Sequence, residues 1–91
     1  MINDKNTILH LIANNLHTAE DFDAFFSDIL TPHEYNELLN RVLICRELKK
    51  GKTVKEVCDE LDVASATVVR GNRILKYGSG KIGKIVQQLV F

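Results

Sequence analysis

The chain has no tryptophan, one proline, one methionine, two cysteines and no long apolar run in its 91 residues. Each shortage excludes something. A membrane-crossing helix needs roughly 18 or more consecutive apolar residues, and none is present. Cys45 and Cys58 sit in separate helical patterns without CxxC spacing, so two reduced, buried thiols are expected rather than a disulfide or a zinc site. His10, His17 and His33 are scattered, with no Cys or acidic ligand at matching spacing, which argues against a metal centre. No glycine-rich loop follows a strand, and no nucleophile, base and orienting residue converge at a recognisable spacing, so no enzymatic activity is expected. The opening segment "MINDKNTILHLIANNLH" has an acid and several asparagines where a signal peptide would carry a basic flank and a continuous apolar core, so a cytoplasmic protein is expected.

What is present is a globular composition, 45% apolar and 26% charged. Its length allows one small domain, residues 1–91, of a size that buries only a modest fraction of its surface alone, which favours association with a second chain. The formal net charge of zero conceals an asymmetry. Residues 1–40 carry one Lys against seven Asp or Glu, and residues 41–91 carry eleven Lys or Arg against five Asp or Glu, giving halves of −6 and +6. A nucleic-acid-binding half beside an acidic assembly half would look like this.

The pattern is helical throughout. Ile8, Leu9, Ile12 and Leu16 recur at helical spacing. Thr18 with Asp21 forms an acidic variant of the capping box, and Phe22, Phe25, Phe26, Ile29 and Leu30 make an apolar face on the helix that follows. Thr31, Pro32 and Glu34 give the clearest helix start in the chain: a hydroxyl to cap, a proline where its missing N–H costs nothing, and an acid reaching back. That helix should run to about Lys50 and stop at Gly51. Thr53 and Glu56 form another capping box, and Tyr77-Gly78-Ser79-Gly80 breaks the pattern before a last apolar segment, residues 82–91. The expectation is an all-α chain of about six short helices, with assembly helices in residues 1–50, a helical pair in 53–76 and a terminal helix in 79–91.

The pair is written in "TVKEVCDELDVASATVVRGN", residues 53–72. Val57 and Leu61 face inward four apart, and Cys58 puts a small side chain where a second helix must cross. Asp62 sits in the turn, where the left-handed conformation is needed and Asp tolerates it. Val63 packs back, Ser65 can cap the second helix and Val68 supplies its inward contact. This is a helix-turn-helix pattern, although a plain helical hairpin inside a bundle shares the spacing. With those residues in the core, Ser65, Ala66, Thr67, Val69 and Arg70 lie on or beside the exposed N-terminal part of the second helix, the end that meets base edges in a major groove. Thr67 can donate or accept, Ala66 can meet a thymine methyl, and Arg70 can fork onto guanine or hold a ligand. Lys52, Thr53, Lys55 and Arg73 are placed to meet phosphates, which set register rather than sequence preference.

The segment "LTPHEYNELLNRVLICRELKKGKTVKEVCDELDVASATVVRGNRILK", residues 30–76, resembles the core of the Trp repressor family: an LTP helix start, an NRV arginine, a glycine-ended helix, and a helix-turn-helix closing in A-T-x-x-R-G. The stretches "TAEDFDAFFSDILT", "GKTVKEV" and "NRILKYGSG", within it and running past its ends, are more similar to the Trp-repressor-like branch of the family than to the enzyme-operon repressor itself. The resemblance implies an intertwined homodimer in which the N-terminal helices of two chains wrap around each other and two reading heads project outward. It also implies a site for L-tryptophan between dimer core and reading head. There Arg41 and Arg70 would flank the indole as cations over a π-face, with Thr31 at the pocket edge. One departure stands out: tryptophan-binding members have a serine near the ligand's polar end, and this chain has Ile74, so L-tryptophan is doubtful as a corepressor. The expected function is a dimeric, sequence-specific regulator of repressor type that binds double-stranded DNA at a pseudo-palindromic operator. The alternative is a helical dimerisation module whose basic half serves another macromolecule.

Overall fold

The structure is a computed structural model and describes residues 4–90, with the side chains of residues 4–89. Among these residues it contains six α-helices and no strand: α1 (Lys5–Asn15), α2 (Ala19–Ile29), α3 (Pro32–Lys49), α4 (Val54–Leu61), α5 (Ser65–Tyr77) and α6 (Lys81–Val90). The chain forms two compact units, the first ending at Tyr35 and the second beginning at Asn36.

In the first unit, α1 starts after Asp4 without a side-chain cap. Helix α2 starts with the expected box: Thr18 Oγ1 accepts the Asp21 N–H at 3.1 Å, and Asp21 Oδ2 accepts the N–H groups of His17 and Thr18 at 3.0 and 3.3 Å. The His17 bond first, and then the Thr18 bond, hold the Asp21 carboxyl below the usual carboxylate range. Phe26 gathers the aromatic side chains, its ring centroid 6.2 Å from Phe22, 5.7 Å from Phe25 and 5.7 Å from Tyr35. The Tyr35 hydroxyl donates to Asp23 Oδ1 at 2.8 Å, and this bond raises the pKa of the phenol. Neither α1 nor α2 contains a buried residue. Ile8, Leu9, Leu11, Phe22 and Ile29 all remain exposed, Ile29 to 64%.

Helix α3 begins as its sequence requires, with Thr31 Oγ1 accepting the Glu34 N–H at 3.1 Å and Glu34 Oε1 accepting the Thr31 N–H at 2.9 Å. It ends at Lys49; the Gly51 N–H reaches the Leu48 carbonyl at 3.0 Å, and the positive φ of 95° at Gly51 turns the following Lys52 N–H back to the Glu47 carbonyl at 3.4 Å. Thr53 caps α4 through a reciprocal pair of bonds with Glu56. Asp62 then adopts φ 54° and ψ 53°, and the Val63 N–H reaches the Cys58 carbonyl at 3.2 Å. One left-handed residue therefore makes the turn.

The cap of α5 differs from expectation. Ser65 is the first helical residue, not the cap; Ala64 holds the half-in position and makes no side-chain bond. The carbonyl of Ala64 already accepts from Thr67 and Val68 at 3.1 and 3.3 Å, so the helix starts one residue early, with no hydroxyl at its cap.

The core of the second unit is Ile44, Val57 and Val68, at most 1% exposed, with Leu48, Val54, Cys58, Leu61 and Val63 packed around them. Full burial of such a side chain stabilises a fold by about 1.5–3 kcal/mol, so three helices are fastened by a handful of contacts. Val86 of α6 is also fully buried, and α6 packs on α5. A buried charge sits at the end of α3. Glu47, 4% exposed, meets Arg46 Nε at 2.8 Å, Lys50 Nζ at 3.1 Å and Lys52 Nζ at 2.6 Å, and Lys52 continues to Glu60 of α4. Hydrogen bonds from Lys52 and then Arg46 hold the Glu47 carboxyl down to about 2.

Candidate nucleic-acid interface and its adjoining clefts

A turn of about 100° per residue distributes the side chains of α5. Val68 and Gly71 are buried against the rest of the unit, and Ile74 and Leu75 are half-buried beside them. Ser65, Ala66, Val69, Arg73 and Lys76 share the outward face, all exposed, Val69 to 47%. An exposed valine near the start of such a helix is a ready partner for a thymine methyl. Thr67 and Arg70 are also exposed but stand on the flank nearer α3.

That flank is where the residues implied for a ligand meet. Arg41, Ile44, Thr67, Arg70, Gly71 and Ile74 line one small cavity of about 20 Å³. Arg41 and Thr67 also border a cleft of about 190 Å³ with Glu37, Asn40, Ile44, Val63 and Ala64. On the other side, Arg70 and Ile74 border an open groove with Arg73, Tyr77 and Gly78. Arg41, Arg70 and Ile74 are thus neighbours in space, across 29 to 33 positions of chain. Arg41 pairs with Glu37 at 3.7 Å, both side chains more than half exposed. Thr31, implied at the pocket edge, uses its hydroxyl oxygen to cap α3.

The phosphate candidates separate into distinct kinds. Lys52 is drawn away from that role: its ammonium is shared between Glu47 and Glu60, and Glu47 first, then Glu60, raises its pKa. Thr53 accepts the Glu56 N–H at 3.2 Å, which leaves its hydroxyl proton available to donate. This cap also lowers the pKa of Glu56. Lys55 is 84% exposed and only loosely paired with Asp59 at 3.8 Å. Arg73 is exposed and makes no ion pair among the described residues.

Two residues that position this surface escaped the sequence reading. Ile44 anchors α3 in the core, and Gly71 allows α5 to approach it. The glycine carried a signal, because a helix interior tolerates Gly at a cost of roughly 0.5–1 kcal/mol relative to Ala, which a close backbone approach can justify. The thiol of Cys45 lies beneath the same crossing, 4.0 Å from the Gly71 carbonyl, and burial raises its pKa, so it serves as a small apolar filler. Among the described residues no cluster of His, Cys, Asp and Glu is arranged to hold a metal, and no helix is long and apolar enough to cross a membrane.

Comparison with known proteins converges on one group. The chain is 32% identical over 65 residues to the uncharacterized protein YerC of Bacillus subtilis (strain 168), a match that covers 71% of this chain and 62% of that protein. It is 31% identical over 88 residues to the Trp operon repressor homolog of Vibrio vulnificus (strain YJ016), covering 96% of this chain and 85% of the relative. No solved structure matches. The family described as "Trp repressor protein" matches residues 5–90. That span takes in the helix-turn-helix, the α3 on which it rests and the helices to either side, and the chain belongs to the Trp repressor family.

Proposed function

We propose that this protein is a sequence-specific DNA-binding transcription regulator of repressor type, acting as a homodimer on a pseudo-palindromic operator, with residues 1–91 working as one domain. The observation that carries this reading is the outward face of α5. Ser65, Ala66, Val69 and Arg73 are exposed, and none of them is used by the core or by an ion pair among the described residues. A helix held by Val68 and Gly71 on one side and unencumbered on the other can enter a major groove. Family membership and the 31% identity to a Trp operon repressor homolog support the same function. Such a role requires no catalysis and is exercised on chromosomal DNA in the cytoplasm.

Dimerisation follows from the exposed apolar side chains of α1 and α2, which need a covering surface. A two-fold axis would set two α5 helices about 34–36 Å apart, one DNA turn. In each head, Ser65, Ala66, Val69, Thr67 and Arg70 would read base edges, and Thr53, Lys55 and Arg73 would hold phosphates. L-tryptophan is bound weakly or not at all, since Ile74 borders the cavity of Arg41, Thr67 and Arg70 with a side chain that neither donates nor accepts. The test is selection of bound duplexes from a random pool, with and without L-tryptophan. The reading expects an enriched pseudo-palindrome and an affinity that falls steeply as salt rises. No duplex binding at low salt would leave only the dimerisation-module alternative.

A further inference from the structure

Residues 63–91 contain five Lys or Arg and no Asp or Glu; every acid of the basic half lies at or before Asp62. The five are Arg70, Arg73 and Lys76 on α5 and Lys81 and Lys84 on α6, all exposed. None of them makes an ion pair among the described residues, whereas five of the six cations in residues 41–62, all but Lys49, have an acidic partner. Helix α4 is the reverse case, because its one lysine stands among Glu56, Asp59 and Glu60. The first helix of the helix-turn-helix is therefore a poor source of positive field. That field comes from the end of α5 and the start of α6.

The geometry keeps these two parts together. Val86 is fully buried and Ile82 half-buried, and α6 packs on α5. Lys81 and Lys84, three residues apart, share a side of α6 away from Val86. The joint is only Gly78, Ser79 and Gly80, with Ser79 Oγ accepting the Lys81 N–H at 3.3 Å. Four residue steps from Tyr77 to Lys81 span at most about 14 Å. Lys81 and Lys84 can each neutralise one phosphate, so this extension adds about two phosphate contacts. Five cations on adjoining helices without a counter-charge repel one another, and a polyanion relieves that repulsion.

We propose that Lys81 and Lys84, at the start of α6, form a clamp outside the helix-turn-helix that grips duplex DNA phosphates flanking the half-site, continuing the line of Arg73 and Lys76. The clamp rests on the DNA-binding reading and deepens it: α5 reads, and α6 holds the backbone beside what is read. Phosphate contacts carry no sequence information, so the clamp adds affinity to every duplex alike.

The experiment is a salt titration of duplex binding by the full chain and by the Lys81→Gln/Lys84→Gln variant, on the selected operator and on a random duplex. Glutamine keeps helix propensity and leaves Val86 in place, so circular dichroism and the thermal midpoint should match the parent. The expected result is weaker binding to both duplexes, with the slope of log K against log salt shallower by about two units per half-site and the sequence preference unchanged. A parent that binds steeply with salt and a variant that superimposes on it would overturn the clamp and leave the regulator reading intact. So would a variant that binds DNA as the parent does but loses binding to phosphatidylglycerol vesicles, which would assign the patch to a lipid surface. A parent that binds no duplex at low salt would bring down the regulator reading and the clamp with it.

Discussion

Gly71 of α5 passes Ile44 of α3 so closely that a Cβ at position 71 would stand 2.9 Å from the Ile44 Cγ2. Leu48 Cδ1 would be 3.1 Å away. Ile44 is β-branched and 1% exposed, so it has little room to yield. Gly71→Ala should gain roughly 0.5–1 kcal/mol of helix propensity and lose about 1–3 kcal/mol to overpacking, a net loss of about 1 kcal/mol. Urea unfolding at fixed protein concentration measures it. In an Ile44→Ala background, where the Cγ2 is gone, the same change should cost less, and equal costs in both backgrounds would contradict the contact.

Glu47 sets a pH dependence. Its carboxyl is held down to about 2 from an ordinary 4.5, so its contribution to stability is fully present above pH 4.5 and is lost as pH falls toward 2. Glu47→Gln leaves three cations facing a neutral amide and should cost about 2 kcal/mol near neutrality. Because the variant has no such proton to gain, its loss of stability between pH 5 and 3 should be smaller than the parent's. Denaturant titrations at those two pH values decide the matter; parallel losses would show that the cluster is not linked to folding.

Contacts of the two kinds should separate in DNA binding. Lys55→Ala should weaken operator and random duplexes together and flatten the salt slope by about one unit. Val69→Ser, at an exposed position on the outward face of α5, should instead change which sequences are selected. A uniform loss for both variants would mean that α5 is not the reader.

The effector cavity can be probed in both directions. Calorimetry of the parent should give weak or no heat with L-tryptophan, because a polar group buried without its partner costs about 1–3 kcal/mol, roughly tenfold to a hundredfold in affinity. Ile74→Ser restores a donor and acceptor beside Arg41 and Arg70 and should strengthen binding. Micromolar binding by the parent that is abolished in Arg70→Ala would place it among tryptophan-responsive repressors instead.

Assembly is the simplest to check. Exposed Ile8, Leu9, Leu11 and Ile29 should be covered by a second chain, so sedimentation equilibrium at micromolar concentration should return a dimer. A stable folded monomer there would remove the geometric basis for two reading heads.

Local chemistry made most of the fold legible in advance. Thr18, Thr31 and Thr53, each followed by an acid three residues on, fix three helix starts by bonds that span four residues. Gly51 and Asp62 mark their turns because few residues accept positive φ. What stayed hidden depends on contacts distant in sequence. The burial of Ile44 and Glu47 is decided by where α4 and α5 land on α3, and nothing within α3 distinguishes Glu47 from Glu37. The same holds for Lys52, whose pairing with Glu47 and Glu60 depends on where α4 lands beside the end of α3. Ser65 misled for a smaller reason: serine favours caps, yet the cap position went to its neighbour Ala64.

Asp62 makes the joint between α4 and α5 with a single left-handed residue, and only Val63 and Ala64 follow before α5 begins. Such a hinge has no slack, so it should accept changes of identity far better than changes of length. Glycine or asparagine at position 62 preserves the aim of α5. One inserted residue shifts the register of α5 by about 100°, so that either Val68 leaves the core or the exposed Val69 and Arg73 turn away from the outward face.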